Sequence, residues 1–295
     1  MGRVAFVFSG QGDQYPGMGR ALYDKFPAAA AVFDLCDRIR PGTAAQCFGG
    51  TEAELRETKN TQPCLFAMEL AAVAALQAQG IVPDAVAGFS LGEVVAATVA
   101  GTFDHETGFR LVCRRGELMQ AAAEQCDAAM AAVVKLTPEQ VQTLCAEFSD
   151  VWPVNFNCPG QITVSGLAAQ MPSFSAAVRA AGGRAIPLKV RGGFHSPLMA
   201  GAARAFAGEL TAAELRQPAL PLYSNRTAAP YTGDVATLLS EQICSPVLWE
   251  ALIRNMIADG VDTFIEIGPG STLTNMIKKI DGGVSAKPLE EVLSC

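Results

Sequence analysis

Three short strand-forming segments of this chain run directly into glycine-rich turns. They are Val4–Phe8 before Ser9-Gly10-Gln11-Gly12, Ala85–Gly88 before Phe89-Ser90-Leu91-Gly92, and Val261–Ile267 before Gly268-Pro269-Gly270. Stretches with helical spacing follow or separate them: Arg20–Arg40, Cys64–Gln79 (opened by Thr61-Gln62-Pro63 and stopped at Gly80), Leu91–Ala100, Phe109–Cys126, Ala202–Leu215 and Ala251–Asp259. A further strand is expected at Leu220–Ser224. Short buried strands alternating with helices predict an α/β fold with a mostly parallel sheet covered on both faces.

The pattern changes after Asp127. Ala129–Lys135 reads as a strand, and Thr137-Pro138-Glu139-Gln140 as a helix start with proline at its first position. Val151–Asn157 and Gln161–Ser165 are two strands joined at Cys158-Pro159-Gly160; Met171–Ala181 is a helix and Arg184–Val190 a last strand. Strand–helix–strand–strand–helix–strand is the order of a small ferredoxin-like module. The expected organisation is a large α/β unit made of residues 1–127 and 194–295, with the small unit, 128–193, inserted into it.

Composition removes several classes of function. The net charge is −7 without a Lys/Arg cluster, which disfavours nucleic acid and anionic membrane surfaces as partners. The apolar run at the N-terminus breaks at Ser9, too early for a secretion signal, and no stretch approaches the roughly 20 apolar residues of a membrane span. A cytoplasmic protein is expected, and nothing demands more than a monomer. The nine cysteines, at 36, 47, 64, 113, 126, 145, 158, 244 and 295, show neither Cys-x-x-Cys nor zinc-finger spacing, so free thiols and no metal site are expected.

Strand–Gly-x-Ser-x-Gly–helix has a mechanical meaning. A serine on a sharp strand-to-helix turn is lifted out of the fold, and the helix N-terminus offers N–H groups to a developing oxyanion. Ser90 is therefore the candidate nucleophile; the alternative is a turn serine that only caps the helix. A serine needs a base. Only two histidines exist: His105, in a polar loop, and His195, held between Gly192-Gly193 and Pro197, which is the better placed. No Asp or Glu stands out as a third member, which leaves a Ser–His dyad steered by a backbone carbonyl or an amide side chain. Gln11 follows the first strand at the carboxyl edge of the sheet, where open α/β sheets bind ligands. Its N–H and that of Leu91 are the candidate oxyanion hole, although Gly-Gln-Gly would equally serve as a plain turn. The spacing does not fit a dinucleotide-binding glycine pattern.

Taken in order, Phe6-Val7-Phe8-Ser9-Gly10-Gln11-Gly12, Thr61-Gln62-Pro63, Gly88-Phe89-Ser90-Leu91-Gly92-Glu93, Arg114-Arg115-Gly116-Glu117-Leu118-Met119-Gln120, Val154-Asn155-Phe156-Asn157-Cys158-Pro159-Gly160-Gln161, Gly193-Phe194-His195-Ser196-Pro197-Leu198-Met199 and Glu266-Ile267-Gly268-Pro269-Gly270 form a familiar set. The chain resembles the malonyl-CoA:acyl-carrier-protein transacylases of fatty-acid and polyketide synthesis, from its N-terminus to about residue 280. The resemblance implies an α/β-hydrolase-like core and a ping-pong reaction through a malonyl-serine ester at Ser90, with His195 as base. It implies no cofactor: malonyl-CoA is substrate, and acyl carrier protein brings the phosphopantetheine thiol. By the same resemblance Arg115 clamps the malonyl carboxylate, Gln62, Phe89 and Phe194 line the pocket, and a main-chain carbonyl in Ser245–Trp249, at Leu248, orients His195. Phe194 matches members that favour malonyl over methylmalonyl. Phe89 departs from the family, which usually has histidine there. Two rival readings share these residues: a serine hydrolase or editing thioesterase, and a carrier-binding module that has lost activity.

Overall fold

Of the strands that carry the glycine turns, Val4–Phe8 and Ala85–Gly88 have no polar side chain to expose, whereas Val261–Ile267 turns Asp262 to solvent and buries its apolar residues. In the computed structural model, which describes residues 2–293, nine strands form: β1 (Arg3–Phe8), β2 (Ala85–Gly88), β3 (Ala128–Val134), β4 (Val151–Cys158), β5 (Gln161–Leu167), β6 (Arg184–Arg191), β7 (Leu222–Tyr223), β8 (Val261–Ile267) and β9 (Ser285–Pro288). Five of them make an all-parallel sheet of order β7-β2-β1-β8-β9. Side chains alternate across it, as the two-residue strand period requires. Phe6, Phe8, Val86, Ile265 and Ile267 enter one core, while Ala5, Val7, Ala85, Ala87 and Phe264 enter the other. Burial on both faces accounts for the unbroken apolar runs of β1 and β2.

Helices cover both faces. The Thr58–Ala78 helix is buried almost all round, with Leu65, Phe66, Leu70 and Leu76 in the first core. It begins at Thr58, before the expected opening at Thr61-Gln62-Pro63, and Pro63 lies inside it. The earlier start has a tertiary cause: the Thr58 N–H donates to Gln120 Oε1 at 2.8 Å. The expected Arg20–Arg40 helix is two, Arg20–Lys25 and Pro27–Ile39, because Phe26 before proline is extended at φ −119°. Thr43–Gly49, Glu52–Arg56 and the polar edge strand β9 were not anticipated, and β7 is shorter than expected.

The remaining four strands form an antiparallel sheet of order β4-β5-β3-β6, the ferredoxin-like arrangement. Its helices, Pro138–Ala146 and Met171–Ala180, cover one face through Val141, Cys145, Phe174 and Val178. The other face turns Met130 and Val154 toward the core of the parallel sheet. Among the described residues no helix is long and apolar enough to cross a membrane.

The β2 turn sits at the carboxyl edge of the parallel sheet, and its glycines are needed for space. A Cβ on Gly92 would lie 2.4 Å from Phe8 O, and one on Gly88 would lie 1.9 Å from the Gly92 carbonyl carbon. We expect Gly92→Ala to lower the unfolding free energy by about 1–3 kcal/mol, the cost of forcing packed backbones apart. Urea unfolding checks this; an unchanged midpoint would mean that the helix can move off β1 freely.

Candidate active site

Ser90 joins β2 to the Gly92–Val99 helix with φ 56°, a left-handed conformation that serine rarely adopts. Three hydrogen bonds hold it there: Phe89 N–H to Phe8 O at 2.9 Å, Gly92 N–H to Phe89 O at 3.0 Å, and Ser90 N–H to Asn225 Oδ1 at 2.7 Å. The Asn225 amide in turn donates to Gly88 O at 2.6 Å. So fixed, the hydroxyl faces a cavity between the two sheets, lined by Gln11, Gln62, Phe89, Leu91, Met119, Met130, Asn155, Phe194 and His195 among others.

His195 is buried and also left-handed, at φ 60°. Its Nε2 lies 2.7 Å from Ser90 Oγ, and its Nδ1 lies 2.9 Å from Gln242 O. A carbonyl only accepts, so Nδ1 carries the proton and Nε2 presents a lone pair to the serine hydroxyl. Burial, helped by the charge of Arg115, pushes the imidazole down to about 4, while backbone acceptors at Gln242 and Ser245 work the other way. The ring is therefore a neutral base at pH 7. His105 is exposed, at the start of the His105–Glu124 helix.

The carbonyl hydrogen-bonded to the ring is that of Gln242, just ahead of the expected Ser245–Trp249 segment; within that segment Ser245, not Leu248, also acts on the imidazole. Leu248 opens the Trp249–Ala258 helix, and its N–H is given to Asn225 O at 2.8 Å. The turn Gln242–Cys244, six residues and less upstream, is what passes under the imidazole. Leu248 thus supports the loop of Asn225, and Gln242 supports His195.

Gln11 and Leu91 both line the cavity beside Ser90. Neither backbone N–H donates to an acceptor among the described residues. At the N-terminus of a helix and in a strand-end loop, such groups are free for an oxyanion.

Arg115 is not an exposed helix arginine: it is fully buried. One guanidinium nitrogen donates to Gln62 Oε1 at 2.9 Å, the other to Gln242 Oε1 at 2.7 Å, and the latter lies 3.4 Å from Ser90 Oγ. Burial lowers it to about 10, against the pull of Glu93, so the cation persists at neutral pH. Gln62 also donates to Met119 Sδ at 3.3 Å. Phe89 needs no polar partner; its ring packs edge-on against Trp249 with centroids 5.5 Å apart.

Sequence reasoning missed Asn225, Tyr231 and Gln242 as parts of the site and gave Glu93 no role. Glu93 is buried, accepting from Tyr231 Oη at 2.6 Å, Asn225 N–H at 3.2 Å and Gln242 Nε2 at 2.8 Å. Burial raises it to about 7, opposed by these hydrogen bonds and by Arg115. Asn225 follows β7 at the same sheet edge as Gln11 and Ser90, the one signal that marked it. No group of three or more His, Cys, Asp or Glu among the described residues is arranged to hold a metal ion. Eight cysteines are free, with burial raising Cys113 and Cys145 to about 12; Cys295 lies outside the described residues.

A strained serine with a neutral imidazole on its hydroxyl and free N–H groups beside it defines the class: an enzyme that carries an acyl group on serine. The Arg115 cation stands next to that hydroxyl. Residues 5–291 match the acyl transferase domain family. The chain belongs to that family and, within it, to the malonyl CoA–acyl carrier protein transacylases. It is 38% identical to the transacylase of Bacillus subtilis (strain 168), over 95% of this chain and 91% of the relative. It is 36% identical to that of Escherichia coli (strain K12), over 99% and 97%. The crystal structure of the Clostridium perfringens transacylase superposes with a TM-score of 0.95 at 34% identity, covering 99% of this chain and 96% of that one. A malonyl-transacylase solved in complex with its type II polyketide-synthase acyl-carrier protein superposes at 0.93, also 34% identical, over 97% and 95%.

Proposed function

We propose that this protein transfers the malonyl group of malonyl-CoA to the phosphopantetheine thiol of an acyl carrier protein, through a malonyl ester on Ser90. The observation that carries this reading is the meeting of two groups at one hydroxyl: His195 Nε2 at 2.7 Å and the Arg115 guanidinium at 3.4 Å from Ser90 Oγ. A dicarboxylic acyl group bound there has its thioester at the nucleophile and its free carboxylate at the cation.

In the first half-reaction His195 Nε2 takes the Ser90 proton as Oγ attacks the thioester carbonyl. Gln11 and Leu91 N–H groups hold the oxyanion, and collapse releases CoA, whose sulfur takes the proton back from His195. In the second, the carrier thiol gives its proton to His195 and attacks the ester; Ser90 leaves and recovers the proton. The chain needs no cofactor of its own for either step. Phe194 and Met130 line the cavity with Ser90, and their bulk would disfavour the extra methyl of methylmalonyl by about 1–3 kcal/mol, the range for one methyl group. In this reading residues 1–127 and 194–295 form the catalytic unit and 128–193 the small one, in a monomeric cytoplasmic protein serving fatty-acid or polyketide synthesis.

The test is intact-mass analysis after brief exposure to malonyl-CoA, followed by addition of holo-carrier protein. A malonyl adduct on the enzyme that passes to the carrier is expected. Consumption of malonyl-CoA without a malonyl-carrier product would make the protein a hydrolase. Absence of any adduct would make it a binding module.

A further inference from the structure

Gln242 is hydrogen-bonded to Ser90, His195, Glu93 and Arg115. Its main-chain oxygen accepts from His195 Nδ1 at 2.9 Å. Its side-chain Nε2 donates to Ser90 O at 2.6 Å and Glu93 Oε2 at 2.8 Å, and its Oε1 accepts from Arg115 at 2.7 Å. The residue is 1% exposed, so no water competes for these positions.

The amide has one allowed orientation. Two acceptors, a carbonyl and a carboxylate, face one end, and a guanidinium faces the other. Turning the amide over would set NH2 against the guanidinium and oxygen against the Glu93 carboxylate. Glu93 itself is held by Tyr231 and the Asn225 N–H, so the orientation is anchored in the core. A chemical consequence follows for Arg115. Its side-chain acceptors, the amides of Gln62 and Gln242 and the more distant Ser90 hydroxyl, are all neutral. They aim the guanidinium without forming an ion pair with it, and Glu93, whose charge pulls on Arg115, is hydrogen-bonded to Gln242 rather than to the guanidinium. The Arg115 charge is left for a ligand.

We propose that the Gln242 side chain is a positioning residue for acyl-group selection: anchored by Glu93, it aims an uncompensated Arg115 at the carboxylate of the incoming acyl group. This rests on the reading of Arg115 as the carboxylate clamp. Side-chain substitutions at 242 keep the carbonyl that orients His195, so they separate selection from base catalysis.

Loading of Ser90 is measured with malonyl-CoA and acetyl-CoA for wild type, Arg115→Ala, Gln242→Met and Gln242→Glu. For Gln242→Met the malonyl KM is expected to rise at least about tenfold more than the acetyl KM. Tenfold is about 1.4 kcal/mol, the scale of one hydrogen bond to a charged group. For Gln242→Glu, whose carboxylate pairs with Arg115, the malonyl-to-acetyl ratio falls further, and the acid limb of acetyl loading moves to higher pH as the Arg115 charge is neutralised beside His195. Should Gln242→Met fold poorly, Glu93→Gln reads the same chain of bonds: its amide meets the Gln242 amide donor to donor and produces the same donor-selective loss. Equal losses for both donors in the Gln242 and Glu93 variants, with Arg115→Ala still selective, overturn the proposal alone. Equal losses in Arg115→Ala overturn the clamp and this proposal with it.

Discussion

Ser90→Ala leaves no malonyl-enzyme adduct, and His195→Ala forms it about 10²–10⁴-fold more slowly, the usual contribution of a positioned general base. The reason lies in the 2.7 Å contact between Nε2 and Oγ, with Nδ1 tied to a carbonyl that fixes the tautomer. The same geometry dictates pH behaviour. An imidazole held at about 4 is in its basic form at every pH above that value. The kcat/KM for loading should therefore stay level from pH 7 to about pH 5, where a histidine at the ordinary value near 6.5 would already be mostly protonated and inactive. Single-turnover loading across that range checks both parts. An acid limb centred near 6.5 in the wild type would show that His195 is more solvated than its burial indicates, and an adduct on Ser90→Ala would place the acyl group elsewhere.

What the sequence made legible here was local. β2, its two glycines and the following helix lie in one stretch, so the turn that exposes Ser90 could be read from spacing alone. His195 followed because the chain has only two histidines and the other sits in a polar, exposed stretch at a helix start. The order of strands after Asp127 likewise gave the small antiparallel sheet. Long-range pairing was not legible. Nothing adjacent to Gln242 marks it, because its partners Ser90, Glu93 and Arg115 are 152, 149 and 127 residues away. Asn225, which takes the Ser90 N–H, is equally remote at 135 residues. The error at Leu248 has the same origin: a turn and the helix behind it are close in sequence, and only the fold decides which carbonyl passes under the imidazole. Phe89 is the converse case. In the sequence it stands out only as a departure from the usual histidine, and its ring is packed against Trp249, a contact that only the folded chain creates.

Arg115→Ala should reduce malonyl loading about 10²–10⁴-fold and acetyl loading far less. Removing one partner of a buried ion pair costs about 3–5 kcal/mol, and the malonyl carboxylate would be the partner left without a cation. Acetyl has no such group, so its loss reflects only the emptied volume beside Ser90. A second consequence is independent of the donor's carboxylate. Arg115 is one cause of the low His195 value, so its removal lets the imidazole rise and carries the acid limb of loading upward in pH. Arg115→Lys keeps the charge but replaces a planar fork, braced by Gln62 and Gln242, with a single ammonium. It should restore the position of the acid limb while recovering only part of the malonyl rate. Separating the two readouts matters, because a cation that merely stabilised the fold would lower both donors together and leave the Lys variant no better than Ala. Equal losses with malonyl- and acetyl-CoA would therefore remove Arg115 from substrate selection, whatever happened to the pH profile.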